Sequence, residues 1–332
     1  MEKQVVDRLT IENLITTTST ESLARGYILN CKSEGKSPKT IAIYETVLRN
    51  FIWYCKQNDF PEAQQLTSVH IRHFLWYLSS ESNRWGNNNP ATRKPASQTT
   101  GNAYYRALHS FFKWLTSEQL IANNPLTNLK KPRPEKKVIQ ALTPSEIDKV
   151  FKVCSGNGAL NVRNRAILSV LIDSGLRVSE LANLNLDDVN IDNGSLLVRH
   201  GKGGKQRVVR IGVKAQKILW KYITIYRKGS SNSLFLNRSG ETLDVVGIKI
   251  LIRRLGNRAK VKLHPHKLRH TFAITFLRAG GDVFSLQYLL GHSTLQMTQR
   301  YLQSLNADDA ERAHQKFSPL DNLGKIASRF KI

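Results

Sequence analysis

Four short polar stretches contain the residue types that chemistry on a phosphate ester would need. They are Ser-Gly-Leu-Arg-Val-Ser-Glu-Leu at 174–181, Gly-Lys-Gly-Gly-Lys at 201–205, His-Pro-His-Lys-Leu-Arg-His-Thr at 264–271, and Leu-Gly-His-Ser at 290–293, followed nine residues after its histidine by Tyr301. Each stretch alone is a weak signal, because arginine, lysine and histidine are common on protein surfaces. All four in this order form a specific pattern, and together they predict one site.

These residue types suit cleavage of a phosphodiester without a metal ion. Two guanidiniums, Arg177 and Arg269, can hold the non-bridging oxygens in a bidentate manner, which lysine does less well. A lysine on a turn, Lys202, can protonate the leaving 5′-oxygen. The phenol of Tyr301, with an ordinary pKa of about 10, needs a positive environment or a nearby base before it can attack. The predicted product is a 3′-phosphotyrosyl link, which conserves the bond energy, so that rejoining needs no ATP.

Two histidines and a second lysine belong to the same prediction. His266 could accept the proton of the tyrosine hydroxyl, and His292 could hydrogen-bond the phosphate. Lys205 lies in the same basic turn as Lys202 and is a near-equal candidate for the general acid. The sequence leaves the choice between the two lysines open.

Each candidate also has an ordinary structural explanation. Arg177 could cap a helix C-terminus, and Tyr301 could be a core residue. His266 and His270, four positions apart, could bind zinc. Against zinc, Lys267 occupies the position of a metalloprotease base, and no nearby carboxylate or cysteine completes a ligand set. We therefore predict no metal and no cofactor.

The balance of charge predicts a polyanionic partner. Lysine and arginine total 50 against 25 aspartate and glutamate, a formal net charge of +25. No acidic residue lies between Asp192 and Glu241, where eleven basic residues occur, and none lies between Asp244 and Asp282, where nine occur. Such one-sign stretches favour nucleic acid, since cations gain free energy by displacing counterions from a phosphate backbone. A membrane surface is disfavoured because no basic amphipathic anchor is found.

Length and composition indicate a two-domain protein of the cytoplasm. A chain of 332 residues suits two domains, each able to bury its own core. The cysteines Cys31, Cys55 and Cys154 lack CxxC spacing and predict buried thiols rather than disulfides or a zinc site. No window approaches the roughly 18 apolar residues of a membrane span, and the N-terminus has no apolar signal-peptide core.

Patterning predicts helices for the N-terminal domain, residues 1–128. Helices are expected from Ser37-Pro38 onward, over about 67–78, and over about 97–117, with apolar residues at helical spacing. Their many aromatic residues indicate a core rather than a surface for base stacking. A proline-punctuated basic stretch, 129–141, contains Lys130 and Lys131 and predicts a linker.

The second domain, residues 142–332, is expected to be mostly helical with one small sheet. Thr143-Pro144-Ser145-Glu146 is a capping box at a helix start. Alternating residues at 195–200 and 206–211 predict a β-hairpin whose turn contains Lys202. Helices are expected near 162–173, 213–227, 244–260, 266–279, 283–290 and 294–302. Tyr301 is expected on the last helix, and Tyr288, among leucines, in the core.

The four stretches resemble the tyrosine recombinase (lambda-integrase-like) family. Glycine-leucine-arginine with an acidic residue three positions on, a basic hairpin, His-x-x-Arg-His, then Gly-His and a tyrosine nine residues later match that family in order and spacing over about 142–305. The N-terminal helices resemble its core-binding domain, and the chain is most similar to Xer-type and phage- or transposon-type members. The resemblance implies a mainly α fold: a helical-bundle core-binding domain plus a mostly α catalytic domain with a small antiparallel sheet.

The resemblance also implies functional residues and partners. The implied catalytic residues are Arg177, Lys202, His266, Arg269, His292 and Tyr301. Glu180 matches the acidic residue that supports the first arginine. DNA contacts are expected from Lys205, Arg207, Lys130, Lys131 and Lys267. The implied partner is double-stranded DNA with specific recombination sites, on which four subunits exchange strands through a Holliday junction. The tail after Tyr301, including 318–321, is similar to a helix that such enzymes pass to a neighbouring subunit.

Three other functions stay open on the sequence. A DNA-binding protein of the same fold without catalysis would have no reason to keep the full residue set. A metal-dependent nuclease needs clustered carboxylates, and near the first stretch only Glu180, Asp187 and Asp188 are available. A type IB topoisomerase would use nearly the same chemistry, and relaxation of plasmids without a specific site would distinguish it.

Overall fold

The chain divides into two structural units, residues 1–136 and 137–332. The computed structural model describes residues 19–86, 89–132, 139–199, 206–319 and 321. The predicted linker at 129–141 includes residues outside these ranges, so its conformation stays a prediction. Across the described ranges, no helix is long and apolar enough to cross a membrane.

Four helices form the described part of the N-terminal unit: α1 (Thr20–Ser33), α2 (Pro38–Gln57), α3 (Ser68–Ser80) and α4 (Gln98–Ser117). Serine caps begin three of them, since the hydroxyls of Ser19, Ser37 and Ser97 accept hydrogen bonds from the backbone N–H groups three residues on. These bonds satisfy donors that a helix start otherwise leaves unpaired. Between α3 and α4 lie two short 3₁₀ turns, Arg84–Gly86 and Pro90–Thr92.

The core of the N-terminal unit is aromatic. Phe51, Phe74, Phe111 and Phe112 are fully buried, and the Phe51 ring meets the rings of Phe74 and Phe112 edge to face at 5.0 and 6.1 Å. Buried rings in this geometry stabilise the bundle through area and through quadrupole interactions. The expectation that these aromatics form a core is confirmed.

The C-terminal unit is also mainly helical, with a small sheet. Its helices are α5 (Pro144–Lys152), α6 (Ala159–Ser174), α7 (Val178–Ala182), α8 (Val213–Lys221), α9 (Val245–Ala259), α10 (Pro265–Arg278), α11 (Val283–Leu290), α12 (Leu295–Gln299) and α13 (Ala307–Phe317). A π-helical turn, Tyr222–Tyr226, continues α8, and 3₁₀ turns occur at Leu186–Asp188 and Leu302–Ser304. The mainly α fold class is confirmed.

The sheet has three antiparallel strands in the order β1 (Val189–Asn190), β2 (Ser195–Val198) and β3 (Arg207–Arg210). Leu196 pairs with Val209, and both are buried, so one face of the hairpin packs on the core. The predicted pairing of the two alternating segments is confirmed. The turn between them, residues 200–205, lies outside the described residues.

Helix α6 forms the centre of this unit. It is buried on nearly all sides and packs against α8 and α10. It ends at Gly175, whose φ of 64° is left-handed, and a Cβ there would lie 2.3 Å from the Phe272 ring. A glycine is therefore required on both backbone and packing grounds.

Two expectations for the last helices are wrong. Tyr288 is 61% exposed, because Leu286 and Leu290 form the inward face of α11 and a residue midway between them points outward. Tyr301 lies beyond the end of α12 rather than on a continuous helix. Its N–H donates to the carbonyl of Thr298, an i→i−3 bond that tightens the backbone at this point.

Candidate active site

The first arginine is held where one helix ends and the next begins. Two residues after the glycine cap of α6, Arg177 takes an extended backbone conformation and is the N-cap of α7. The carboxylate of Glu180 accepts from the Arg177 backbone N–H at 2.8 Å and from its guanidinium at 2.7 Å. Arg177 is thus the N-cap of α7.

Glu180 is a buried carboxylate between two arginines. Arg207, on β3, donates to both of its oxygens at 3.1 and 2.8 Å. Burial by itself would raise the pKa of Glu180, but the hydrogen bonds from Arg207 and Arg177 outweigh it and hold the pKa below its usual range. The carboxylate therefore stays ionised and fixes the orientation of both guanidiniums.

Three arginines converge on the carbonyl groups at the ends of helices α6 and α11. Arg269 donates to the carbonyls of Gly175 at 2.7 Å and Leu290 at 2.6 Å. Arg177 donates to the carbonyl of Gly291 at 3.1 Å, and Arg207 to that of Leu289 at 2.9 Å. These carbonyls have no partner within their helices and carry the negative end of the helix dipole, so they attract and orient cations.

Burial affects the charge of Arg269. Its side chain is almost fully enclosed, and burial, followed by the nearby charge of Arg177, lowers its pKa to about 10. It is still protonated at neutral pH. Arg269 is thus a buried positive charge, and this charge acts on the side chain of Tyr301.

The side chain of Tyr301 is buried beside the rings of His270 and His292, and Tyr301 is only 4% exposed. Its hydroxyl lies 2.9 Å from Nδ1 of His270, and its ring stacks on His292 with 6.4 Å between ring centroids and 5° between planes. Burial raises the pKa of Tyr301, while the positive charge of Arg269 acts in the opposite direction. Without a further charge or base, the phenol is a weak nucleophile.

His292 is a neutral imidazole at ordinary pH. Burial first, then the charges of Arg269 and Arg177, lower its pKa to about 4. Its Nδ1 lies 2.9 Å from the hydroxyl of the fully buried Thr298, which fixes the ring. A neutral imidazole with one oriented nitrogen can donate a single hydrogen bond to a phosphate oxygen.

His270 is the imidazole whose Nδ1 lies within hydrogen-bond distance of the Tyr301 hydroxyl. The His266 ring is exposed and stacks on His270 at 6.3 Å. The pKa of His270 is lowered to about 4, by burial first and by His266 next. A signal for His270 is present in the sequence, because His266 and His270 share one helix face, but that spacing suggests only a zinc site.

Comparisons with known proteins identify the family of the chain. Residues 140–308 match the phage integrase family, and residues 23–122 match the phage integrase N-terminal SAM-like domain. The tyrosine recombinase XerC of Oceanobacillus iheyensis is 33% identical over 87% of this chain and 93% of its own length. XerC of Bacillus pumilus is 36% identical over 80% of this chain and 86% of its own.

The chain belongs to the tyrosine recombinase family. Its fold is that of the integrase of the transposon Tn1549, solved in complex with transposon right-end DNA, with a TM-score of 0.72, 19% identity, and coverage of 89% of this chain and 99% of that one.

The remaining predicted residues of this recombinase belong to different segments of the chain. Lys202 and Lys205 lie outside the described residues. Lys267 is half-buried, with its amino group 3.5 Å from the carboxylate of Glu146. Lys130 and Lys131 are exposed in the N-terminal unit. Among the residues described, no cluster of three or more histidine, cysteine, aspartate or glutamate side chains could hold a metal ion.

Arg207, which the sequence predicts as a DNA contact, is buried in the C-terminal unit. It is only 6% exposed, and its guanidinium is occupied by Glu180 and by the carbonyl of Leu289. The alternation of the hairpin explains this, since Arg207 and Val209 point to the buried face while Val208 and Arg210 point outward. The structure gives Arg207 an internal contact instead of a surface one.

Proposed function

We propose that this chain is a site-specific DNA recombinase whose Tyr301 attacks a backbone phosphate to form a 3′-phosphotyrosyl intermediate, without metal or ATP. One observation supports this most strongly: the Tyr301 hydroxyl is hydrogen-bonded to His270, its ring is stacked on His292, and the charge of Arg269 acts on it. Membership of the tyrosine recombinase family supports the same reaction class.

In the proposed reaction, the phenol oxygen of Tyr301 bonds to phosphorus as the bond to the 5′-oxygen breaks. The phenol proton passes to an imidazole, and the 5′-oxygen takes a proton from a lysine of the β2–β3 turn. Lys202 is the proposed acid, and Lys205 is the alternative. Arg177 and Arg269 stabilise the charge that develops on the non-bridging oxygens.

The proton acceptor is proposed from two candidates. His266 is at the position that the family resemblance implies, and its side chain is exposed, so that it can approach a bound phosphate. His270 already lies 2.9 Å from the Tyr301 hydroxyl and, with its lowered pKa, is neutral and able to accept. We propose that His270 holds the phenol and competes with His266 for its proton.

Duplex DNA with specific recombination sites is the proposed substrate, in the cytoplasm. Lys130, Lys131, Lys205 and Lys267 are proposed phosphate contacts, because lysines in a chain of net charge +25 gain by displacing counterions. Arg207 is proposed as a positioning residue that acts through Glu180 on Arg177.

We further propose that four subunits assemble on two duplexes and exchange one pair of strands at a time through a Holliday junction. Family membership supports this arrangement. The reaction conserves one high-energy bond per cut strand, so strand exchange between subunits requires only that a free 5′-hydroxyl of the partner duplex replaces the original one.

The test is a covalent-complex assay with a nicked half-site duplex, in which the cut strand diffuses away and traps the intermediate. Wild-type protein is expected to give a product stable in denaturing detergent, and Tyr301→Phe to give none while still binding DNA. Tyr288→Phe is the matched control, because Tyr288 is an exposed tyrosine on α11. A covalent product from Tyr301→Phe would mean that another residue is the nucleophile.

A further inference from the structure

A basic cavity lies in the N-terminal unit, between α2, the Arg84–Gly86 turn and the first residues of α4. Its volume is about 420 Å³, within the roughly 300–1,000 Å³ range of small-ligand sites. Three cationic side chains line it, from Arg49, Arg84 and Lys94, and its described lining contains no acidic residue. A concave site with charge of one sign focuses a positive potential on whatever enters it.

Arg84 is the unusual member of this lining. It is only 6% exposed, and its guanidinium donates to the backbone carbonyls of Glu81 and Lys94. Within the described part of the chain, its Nε has no hydrogen-bond partner, and no carboxylate forms an ion pair with it. A buried charge without a counterion is costly, so an anion in the cavity would compensate a cost already present in the folded chain.

The start of α4 adds to the attraction for an anion. This helix is 20 residues long and begins at the edge of the cavity, where Ser97 is the N-cap. Ser97 and Thr100 are among the residues that line the cavity, and their hydroxyls are hydrogen-bonded to each other at 3.0 Å. A helix N-terminus carries partial positive charge and is a common phosphate site.

The rim of the cavity suits a phosphate that is part of a chain. Arg49 and Lys94 are exposed, so they can reach a ligand that remains partly in solvent. Leu78 and the half-buried Trp85 add apolar surface to the wall. Apolar surface beside a cationic pocket fits a sugar–phosphate backbone better than an isolated inorganic ion, which offers no apolar group.

We propose that this cavity binds one phosphate of the DNA backbone, with Arg84 and the start of α4 at its base and Arg49 and Lys94 at its rim. The proposal rests on the proposed function in so far as DNA is the partner. The same chemistry would also attract free inorganic phosphate, which the experiment distinguishes.

The experiment measures the binding of the full chain to a mixed-sequence duplex by fluorescence anisotropy over a range of KCl concentrations. Lys94→Gln and Arg49→Gln change exposed residues, so folding is preserved. Each is expected to weaken binding about tenfold and to reduce the slope of log K against log salt by about 0.9, as loss of one phosphate contact does. Lys32→Gln, an exposed residue at the end of α1, makes the same charge change outside the cavity and is expected to leave the slope at the wild-type value.

Arg84→Met removes the buried charge and is expected to give the same loss, with circular dichroism verifying the fold. Wild-type slopes in both rim variants would overturn the proposal. Stabilisation of wild type by inorganic phosphate alone, abolished in Lys94→Gln while the DNA slopes stay unchanged, would overturn it in favour of a free-anion site. Reduced slopes together with no covalent product from wild-type protein would retain the phosphate site and reject the recombinase proposal.

Discussion

Glu180 shows how one buried carboxylate can organise a cationic site. It accepts hydrogen bonds from the backbone and guanidinium of Arg177 and from the guanidinium of Arg207. Two arginines that would repel each other are held side by side by the charge between them. Because the carboxylate neutralises one positive charge in the pair, the remaining charge is available to a substrate phosphate.

His270 and His266 can be separated as proton acceptors by matched substitutions. We expect His270→Gln to slow covalent-complex formation on the half-site by a factor on the order of 10² or more, because the Tyr301 hydroxyl loses both its hydrogen-bond partner and an acceptor. His266→Gln is the comparison, and single-turnover rates are the measurement. A larger loss in His266→Gln than in His270→Gln would return the base to His266.

The lowered pKa values of two histidines predict a pH dependence of stability. His270 and His292 have pKa values of about 4 in the folded protein, mainly because of burial. An unfolded imidazole titrates near about 6.5, so between about pH 6.5 and pH 4 the unfolded chain binds more protons than the folded one. The free energy of unfolding should therefore fall as the pH falls through this window.

Urea unfolding of the C-terminal unit in the full chain, at neutral pH and near the middle of that window, measures this effect. His270→Gln is expected to show a smaller fall than wild type, because one of the two titrations is removed. His314→Gln, an exposed histidine on α13, is the control and should keep the wild-type fall. An unchanged fall in His270→Gln would contradict the assignment.

At the level of elements, the ends of helices position the site. Helices α6 and α11 both end at a left-handed glycine, and their terminal carbonyls accept the hydrogen bonds that orient Arg269, Arg177 and Arg207. A helix end is rigid and carries fixed unpaired acceptors, so it holds a long arginine side chain better than a loop would.

Gly291→Ala tests this arrangement. Gly291 has a φ of 60°, and a Cβ there would lie 3.0 Å from the guanidinium of Arg207. We expect a loss of about 2 kcal/mol in the free energy of unfolding from the left-handed backbone and the displaced arginine. Covalent-complex formation should fall by a larger factor than DNA binding.

Gly158→Ala is the control in the same unit, because nothing lies within 4 Å of the added Cβ and its φ is −66°. Its loss should stay below about 1 kcal/mol, the cost of exchanging a glycine N-cap for alanine. Equal losses in the two variants, measured by urea unfolding, would argue against a special role for Gly291.

At the scale of the whole molecule, positive charge belongs to both units. The net charge of +25 predicts long-range attraction to DNA. Clusters of basic side chains in each unit are the surfaces at which this attraction would be strongest. In the reaction proposed for the C-terminal unit, arginines supply the positive charge that a metal ion supplies in many nucleases. In the N-terminal unit, the cavity around Arg84 offers a phosphate contact far along the sequence from Tyr301.

Chelation of metal ions tests the source of this charge. We expect EDTA to leave the rate of covalent-complex formation unchanged, because in the proposed reaction Arg177 and Arg269 stabilise the transition state. A metal-dependent nuclease treated in parallel should lose its activity. Loss of the covalent product in EDTA, with recovery on adding Mg²⁺, would show that the arginines are insufficient.

Local patterning was enough to predict most of the elements. Capping residues such as Ser37, Ser97 and Thr143 define helix starts, and two alternating segments define the hairpin, because these signals act over a few residues. The identity of the polar residues and the order of the four stretches predicted the family. Helix starts, the hairpin and the family all depend on residue type and spacing, which can be read directly from the sequence.

The tertiary structure decided which of those residues meet. Tyr288 lies on α11 and Tyr301 just beyond α12, yet Tyr288 is exposed and Tyr301 is buried, since only packing determines which side chains turn inward. Arg207 pairs with Glu180 across 27 positions, and His270 rather than His266 reaches Tyr301 across 31. Contacts between distant segments depend on how helix ends and strands pack in three dimensions. The spacing of residues along the chain does not determine which distant side chains come close together.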